Sequence, residues 1–153
     1  MGDSYQSRRR PMVSLQLPAA LRYLALARTA TLEICEQIGM HPIKAAQFEM
    51  AIDEACANII EHSYNGPCAP AEETTHPGVG LRFFEEPDGL LVEIHDVGDG
   101  FDLEGKDLVT PQEYLANRNE RGLGLYIIRT FVDRMEYERS PESGNTMRLT
   151  KRR

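Results

Sequence analysis

Two short turn sequences constrain this chain more than any other feature. Glu86-Pro87-Asp88-Gly89 and Ser140-Pro141-Glu142-Ser143-Gly144 each stand between two runs of strand-forming residues. Pro fixes one backbone angle and Gly permits the conformations that a tight reversal needs, so each turn joins neighbouring strands as a hairpin. The first hairpin is expected over about 78–86 and 90–97, and the second over about 134–139 and 145–151. A further strand is expected over 12–17, where polar and apolar residues alternate loosely.

Helical periodicity fills the remainder. Pro18 opens a run to about Gly39 in which Leu21, Leu24, Ala25, Arg28 and Leu32 recur at helical spacing. A second helix is expected from about Pro42 to Tyr64, with Ala45, Phe48, Ile52, Ala55 and Ile59 on one face. A third comes after Gly122-Leu123-Gly124, with Leu125, Ile128, Phe131 and Val132 on a broad apolar face. Residues 65–77 read as a loop, and 98–121 lack clear periodicity, as functional loops often do. The order β-α-α-β-β-loop-α-β-β implies an α+β, two-layer sandwich: a mixed β-sheet with helices packed on one face.

Composition narrows the function. The 153 residues are 41% hydrophobic, enough for one sizeable core. Net charge is −7, yet both ends are basic: Arg8, Arg9, Arg10 and Lys151, Arg152, Arg153. Setting aside residues 1–10 and 151–153 leaves 11 basic and 23 acidic residues, a body that repels phosphate backbones. Nucleic-acid binding is not expected, and the basic ends are expected to be solvated. A flexible tail is expected over 1–11 and a single domain over 12–151. Charges or Pro interrupt every apolar stretch near the ~20 residues of a membrane span, and no signal peptide is visible. Cys35, Cys56 and Cys68 form no CxxC and leave one over, which points to a reducing, cytoplasmic setting. Cys68, His62 and His76 lack a recognised zinc spacing.

Three places carry possible chemistry. On the second helix Glu54, Asn58 and His62 fall within one stripe beside the core face, while Asp53 points away with Glu49. A carboxylate and an amide one turn apart suit a hard cation and a polarised hydroxyl, though an ordinary amphipathic boundary has the same pattern. Asp96-Val97-Gly98-Asp99-Gly100 places a carboxylate at the lip of the sheet, where it can accept from an exocyclic amine or simply form a turn. The amides of Gly122-Leu123-Gly124, beside Arg121, suit a phosphate at the mouth of a helix. Residues 100–107 nearly match a P-loop, but Asp107 stands where Ser or Thr must hold magnesium. A dinucleotide fingerprint is ruled out by Ile127, where its third Gly belongs.

Taken in order, Asp53-Glu54-Ala55-Cys56-Ala57-Asn58, then Asp96-Val97-Gly98-Asp99-Gly100, then Arg121-Gly122-Leu123-Gly124-Leu125-Tyr126, then Gly144-Asn145-Thr146 resemble the GHKL ATPase superfamily. Within it the pattern is most similar to anti-sigma-factor serine-protein kinases of the RsbW and SpoIIAB type, over about residues 12–151. The resemblance implies a Bergerat, histidine-kinase-like ATPase fold that binds ATP and Mg²⁺. It implies Glu54 as general base and Asn58 as the Mg²⁺ ligand. It further implies Asp96 for the adenine amino group, Gly98 and Gly100 shaping that pocket, and Thr146 close by. The segment Arg121, Gly122, Leu123, Gly124 and Leu125 would hold phosphates.

Such proteins are homodimers that bind a sigma factor and phosphorylate a serine of an anti-anti-sigma protein of the STAS fold. The resemblance implies that function here, with a nucleotide-gated binding module of little or no kinase activity as the alternative. A detached histidine-kinase catalytic domain is disfavoured, because the first helix carries no histidine. Two departures stand out: Arg121 abuts Gly122, and Gly144-Asn145 replaces the more usual Gly-Thr.

Overall fold

The structure is a computed structural model that describes residues 9–103, 112, 115 and 123–153. Five strands are present among them: β1 (Val13–Leu17), β2 (Val79–Glu86), β3 (Gly89–Asp96), β4 (Arg134–Ser140) and β5 (Gly144–Arg152). Three helices accompany them: α1 (Leu24–Gln37), α2 (Pro42–Asn58) and α3 (Leu123–Phe131). A 3₁₀ turn over Leu21–Tyr23 precedes α1, so Pro18 stands before the helix and not at its first position.

The strands form one sheet in the order β1-β2-β3-β5-β4. β3 lies in the middle, which is why nearly all its residues are buried, Glu93 and Asp96 among them. Every neighbouring pair is antiparallel, so the expected mixed sheet is corrected to an antiparallel one. The reason lies in the connections. The α1–α2 hairpin returns the chain to the end of the sheet that β1 left, so β2 runs back along β1. The single α3 crossover does make β4 run in the same direction as β3. But β5 is inserted between those two strands and pairs antiparallel with both.

Alternation then sets the layers. Leu81, Phe83, Val92, Ile94, Met147 and Leu149 project from one face of the sheet onto Phe48, Ile52, Ile59 and Ile128 of the helical layer. Large side chains buried to this degree each contribute roughly 1.5–3 kcal/mol. The opposite face carries an ion-paired ladder, Arg82–Glu93 at 2.9 Å and Arg148–Glu138 at 3.2 Å. A half-solvated antiparallel sheet tolerates such a face, with Glu93 itself only 5% exposed beneath the arginines.

α2 is the central helix, packed between α1 and α3. Pro42 starts it, and His41 Nδ1 accepts from the Ile43 amide at 3.2 Å as a cap. Arg28 of α1 pairs with Asp53 at 2.8 Å, which accounts for Asp53 as an inter-helix tie pointing away from Glu54. Burial pushes the Cys35 thiol up to about 11 and the Cys56 thiol up to about 12, so both behave as packing groups.

The basic ends meet the first hairpin turn. Arg9 pairs with Glu86 at 2.8 Å, and the Arg153 amide donates to the Asp88 carbonyl at 2.9 Å. Arg9 and Arg153 are thus tied, not frayed; Arg8 lies outside the described residues. Among the described residues no helix is long and apolar enough to cross a membrane.

Candidate functional site

The site grows from an irregularity in α2. After Asn58 the chain widens into a π-type turn over Ile59–Ser63, and the Tyr64 amide donates to Ile59 O, five residues back, at 3.0 Å. The wider turn rotates the succeeding residues out of the 100° register, so the stripe of Glu54 and Asn58 does not extend regularly to His62. Ser63, 1% exposed, instead faces the sheet.

There it meets Asp96. The Ser63 hydroxyl donates to Asp96 Oδ1 at 2.5 Å and accepts from the Gly100 amide at 2.9 Å. The Ser63 carbonyl also accepts from the Asp99 amide at 2.8 Å. Asp96 Oδ1 takes two further donors, the Gly98 amide at 2.9 Å and Asn145 Nδ2 at 3.0 Å. Asp96 is 2% exposed, and its second oxygen, Oδ2, is buried without a hydrogen-bond partner among the described residues. A bare buried acceptor costs free energy, so this oxygen is built to receive a donor.

The glycines of the turn reflect the same crowding. A Cβ on Gly98 would lie 2.4 Å from Ser63 O and 2.5 Å from its hydroxyl. Gly100 has φ +72°, and a Cβ there would meet Tyr137 Oη at 2.9 Å and Asn145 Oδ1 at 3.0 Å. Below the turn, Phe101 stacks on Tyr137 with centroids 4.7 Å apart. Tyr64 Oη accepts from the Val97 amide at 3.0 Å and donates to Gly78 O at 2.6 Å, pinning the entry to the turn.

Thr146 does not join this cluster. It pairs in register with His95, its hydroxyl 3.2 Å from His95 Nδ1, on the sheet face away from the helices. The period of two in a strand places its predecessor, Asn145, on the inner face opposite Asp96. Among the described residues it is Asn145, 3% exposed, and not the expected Thr146, that meets Asp96. Ser63 and Asn145 are the residues that sequence reasoning missed. The register from Asp96 would have located Asn145, but nothing in the helical periodicity signals the π-type turn that turns Ser63 inward.

About 13 Å back along the helix from Ser63, at 1.5 Å per residue, stands Glu54. Glu54, Asn58 and Gly124 come together. A Cβ on Gly124 would lie 2.6 Å from Glu54 Oε2 and 3.4 and 3.5 Å from the Asn58 amide atoms. The first turn of α3 thus lies directly against the ends of the Glu54 and Asn58 side chains. Burial, with the negative charges of Asp53 and Glu61 adding to it, shifts the Glu54 carboxyl above its ordinary value. Leu125, buried, anchors the start of α3, and Leu123 beside it is half-buried. Arg121 and Gly122 lie outside the described residues. No cluster of three or more His, Cys, Asp or Glu suited to a metal occurs among the described residues. Any cation here would rely on few side chains, with the Glu54 carboxylate and the Asn58 amide oxygen as the hard donors at hand.

The likenesses to known proteins agree with this layout. Serine-protein kinases RsbW from Bacillus velezensis and Bacillus subtilis are each 29% identical over 143 residues, covering 91% of this chain and 84% of theirs. Among solved structures, the RsbU and RsbW domains of Rv1364c from Mycobacterium tuberculosis match with TM-score 0.62 at 19% identity. That match covers 92% of this chain and 32% of the other, so this chain spans about a third of its length. The SiaB–SiaC complex from Pseudomonas aeruginosa matches with TM-score 0.57 at 15% identity, covering 95% of this chain and 92% of that one. At such identities these two show the fold. The profile of the histidine kinase-like ATPase domain matches residues 17–151. That span runs from the end of β1 through both halves of the site to β5, and the chain belongs to the histidine kinase-like ATPase domain family.

Proposed function

We propose that this protein is an ATP-dependent serine-protein kinase of the anti-sigma type, which binds a sigma factor and phosphorylates a serine on a STAS-fold partner. The observation that carries the reading is the bare, buried Oδ2 of Asp96, framed by glycines and set along one helix from the Glu54–Asn58 pair. A lone buried acceptor favours a ligand with an exocyclic amine, as adenine has. The similarity to serine-protein kinases RsbW supports the activity and the partner class.

Bound ATP supplies a transferable phosphoryl group whose charge Mg²⁺ neutralises. The chain's own residues do the rest. Asp96 accepts the amine and fixes the base, while Gly98 and Gly100 let the backbone close around it. The Asn58 amide oxygen holds the cation. The segment Arg121 to Leu125 would supply backbone amides and one positive charge to the phosphates, with Leu123 and Leu125 seating the start of α3. Glu54 would take the proton from the serine hydroxyl, whose oxygen would replace ADP on the transferred phosphoryl group. Its raised pKa brings it closer to working pH than an ordinary glutamate, which suits a general base.

Isolation of partners from the native cell with and without ATP, followed by phosphosite mapping, tests the proposal. Acid-stable phosphoserine on a co-isolated STAS-fold protein is expected. Phosphohistidine, or ATP binding with no transfer to any co-isolated protein, would replace it with the histidine-kinase or binding-module reading.

A further inference from the structure

Asn145 has no role in the reading so far, yet it is among the most constrained polar side chains in the molecule. It is 3% exposed, and its single amide nitrogen donates twice, to Asp96 Oδ1 at 3.0 Å and to the Gly98 carbonyl at 3.0 Å. Both hydrogens of Nδ2 are thereby used, which fixes the orientation of the amide. Three donors now converge on Asp96 Oδ1: Ser63 Oγ, the Gly98 amide and Asn145 Nδ2. No ligand atom can reach that oxygen. All of the recognition capacity of the carboxylate is left on Oδ2, which is buried and bare.

We propose that Asn145 is a positioning residue that makes this pocket discriminate 6-amino from 6-oxo purines. It locks the Asp96 carboxylate to one side and ties that side to the Gly98 carbonyl, so Oδ2 faces the ligand as a pure acceptor. An amine at position 6 meets it as a donor. A carbonyl there sets acceptor against acceptor in a desolvated place, which is costly. Without Asn145 the carboxylate keeps only the Ser63 hydroxyl and Gly98 amide donors on Oδ1, so its orientation loosens and water enters beside it. The pocket then loses the fixed acceptor that rejects the carbonyl. A hydroxyl in place of this amide supplies one donor and cannot hold both Asp96 and Gly98. The inference rests on the reading of the pocket as a purine-nucleotide site.

Binding of ATP and of inosine triphosphate, which carries oxygen at position 6, is measured by calorimetry for the wild-type chain, Asn145→Ala and Asn145→Thr. Thermal melting checks that each is folded. The wild type is expected to favour ATP. In Asn145→Ala the ATP-to-ITP affinity ratio is expected to fall about tenfold, mostly through weaker ATP binding, as for a lost hydrogen bond to a charged group. Asn145→Thr keeps one donor and gives up the Gly98 tie, so its ratio is expected to fall about threefold. An unchanged ratio in a folded Asn145→Ala overturns the proposal while leaving the nucleotide site standing. If the alanine variant does not fold, an unchanged ratio in Asn145→Thr has the same force. A wild-type chain that binds neither nucleotide removes the purine site itself, and the proposal with it.

Discussion

Around Asp96, side chains and backbone from α2, the Asp-x-Gly-x-Gly turn and β5 close on one another. Ser63, Asn145 and the Gly98 amide share a single carboxylate oxygen. Around Glu54 and Asn58, little more than two helical turns earlier, neither side chain makes a hydrogen bond among the described residues, and the glycine face of α3 lies above them. The first region is a finished network with one open acceptor, Oδ2. The second is a pair of polar groups held near each other, one of them partly desolvated and raised in pKa. In the proposed function, recognition is thus built into the fold, while the reacting end is held loosely. Groups of the first kind contribute to stability and affinity together. Groups of the second kind serve rate and are neutral or costly for stability.

The largest expected effect separates the two ends by kinetics. Glu54→Ala should lower phosphotransfer about 10²–10⁴-fold, the usual range for a lost general base, with nucleotide affinity unchanged and melting temperature not lowered. Single-turnover transfer to the cognate partner measures it, and a wild-type rate would remove Glu54 from the chemistry.

Two glycine substitutions sharpen the same contrast. In Gly98→Ala the new methyl meets the Ser63 backbone carbonyl at 2.4 Å, which cannot move without disturbing the network. Overpacking of this kind costs about 1–3 kcal/mol, and melting should fall by roughly 2–4 °C per kcal/mol. In Gly124→Ala the methyl meets the end of the Glu54 side chain at 2.6 Å, which can swing aside. Helix propensity favours alanine by up to about 1 kcal/mol, so melting should hold or rise while transfer falls. Equal melting losses in both variants would contradict the division between a rigid and a yielding end.

The smallest effect is in pH dependence. Glu54 in the folded chain has a pKa raised above its ordinary value of 4.5. The folded state therefore holds a proton more tightly than the unfolded state, and ionised Glu54 lowers stability at pH above the raised value. That penalty is relieved as pH falls through the folded pKa and is absent below 4.5, where both states are protonated. Glu54→Gln should accordingly melt slightly higher than wild type at neutral pH and identically at pH below 4.5. A difference that persists at low pH would mean that packing, not charge, sets the effect.

Much of this division was legible in the residues. The hairpin turns and apolar periodicities locate all five strands and the three helices, because turn chemistry and burial act locally. Glu54, Asn58, Asp96 and Gly98 stand at the ordered positions that the family resemblance implies. What stayed hidden is what depends on three-dimensional register. The insertion of β5 between β3 and β4 is a choice made by the whole sheet, so the antiparallel pairing could not be read from connections alone. Thr146 and Asn145 differ only in which side of β5 they occupy, and one residue of register decides that. Ser63 reaches Asp96 because a π-type turn adds one residue to the last turn of the helix, for which Ile59 to Ser63 carries no distinctive pattern.

One comparison tests the central claim most directly: ATP affinity by calorimetry in the wild type, Asp96→Ala and Glu54→Ala, side by side. The account expects Asp96→Ala to bind about 10–150-fold more weakly, as for loss of a buried hydrogen bond to a charged group, and Glu54→Ala to bind as the wild type does. Wild-type affinity in Asp96→Ala, or a comparable loss in Glu54→Ala, would contradict it.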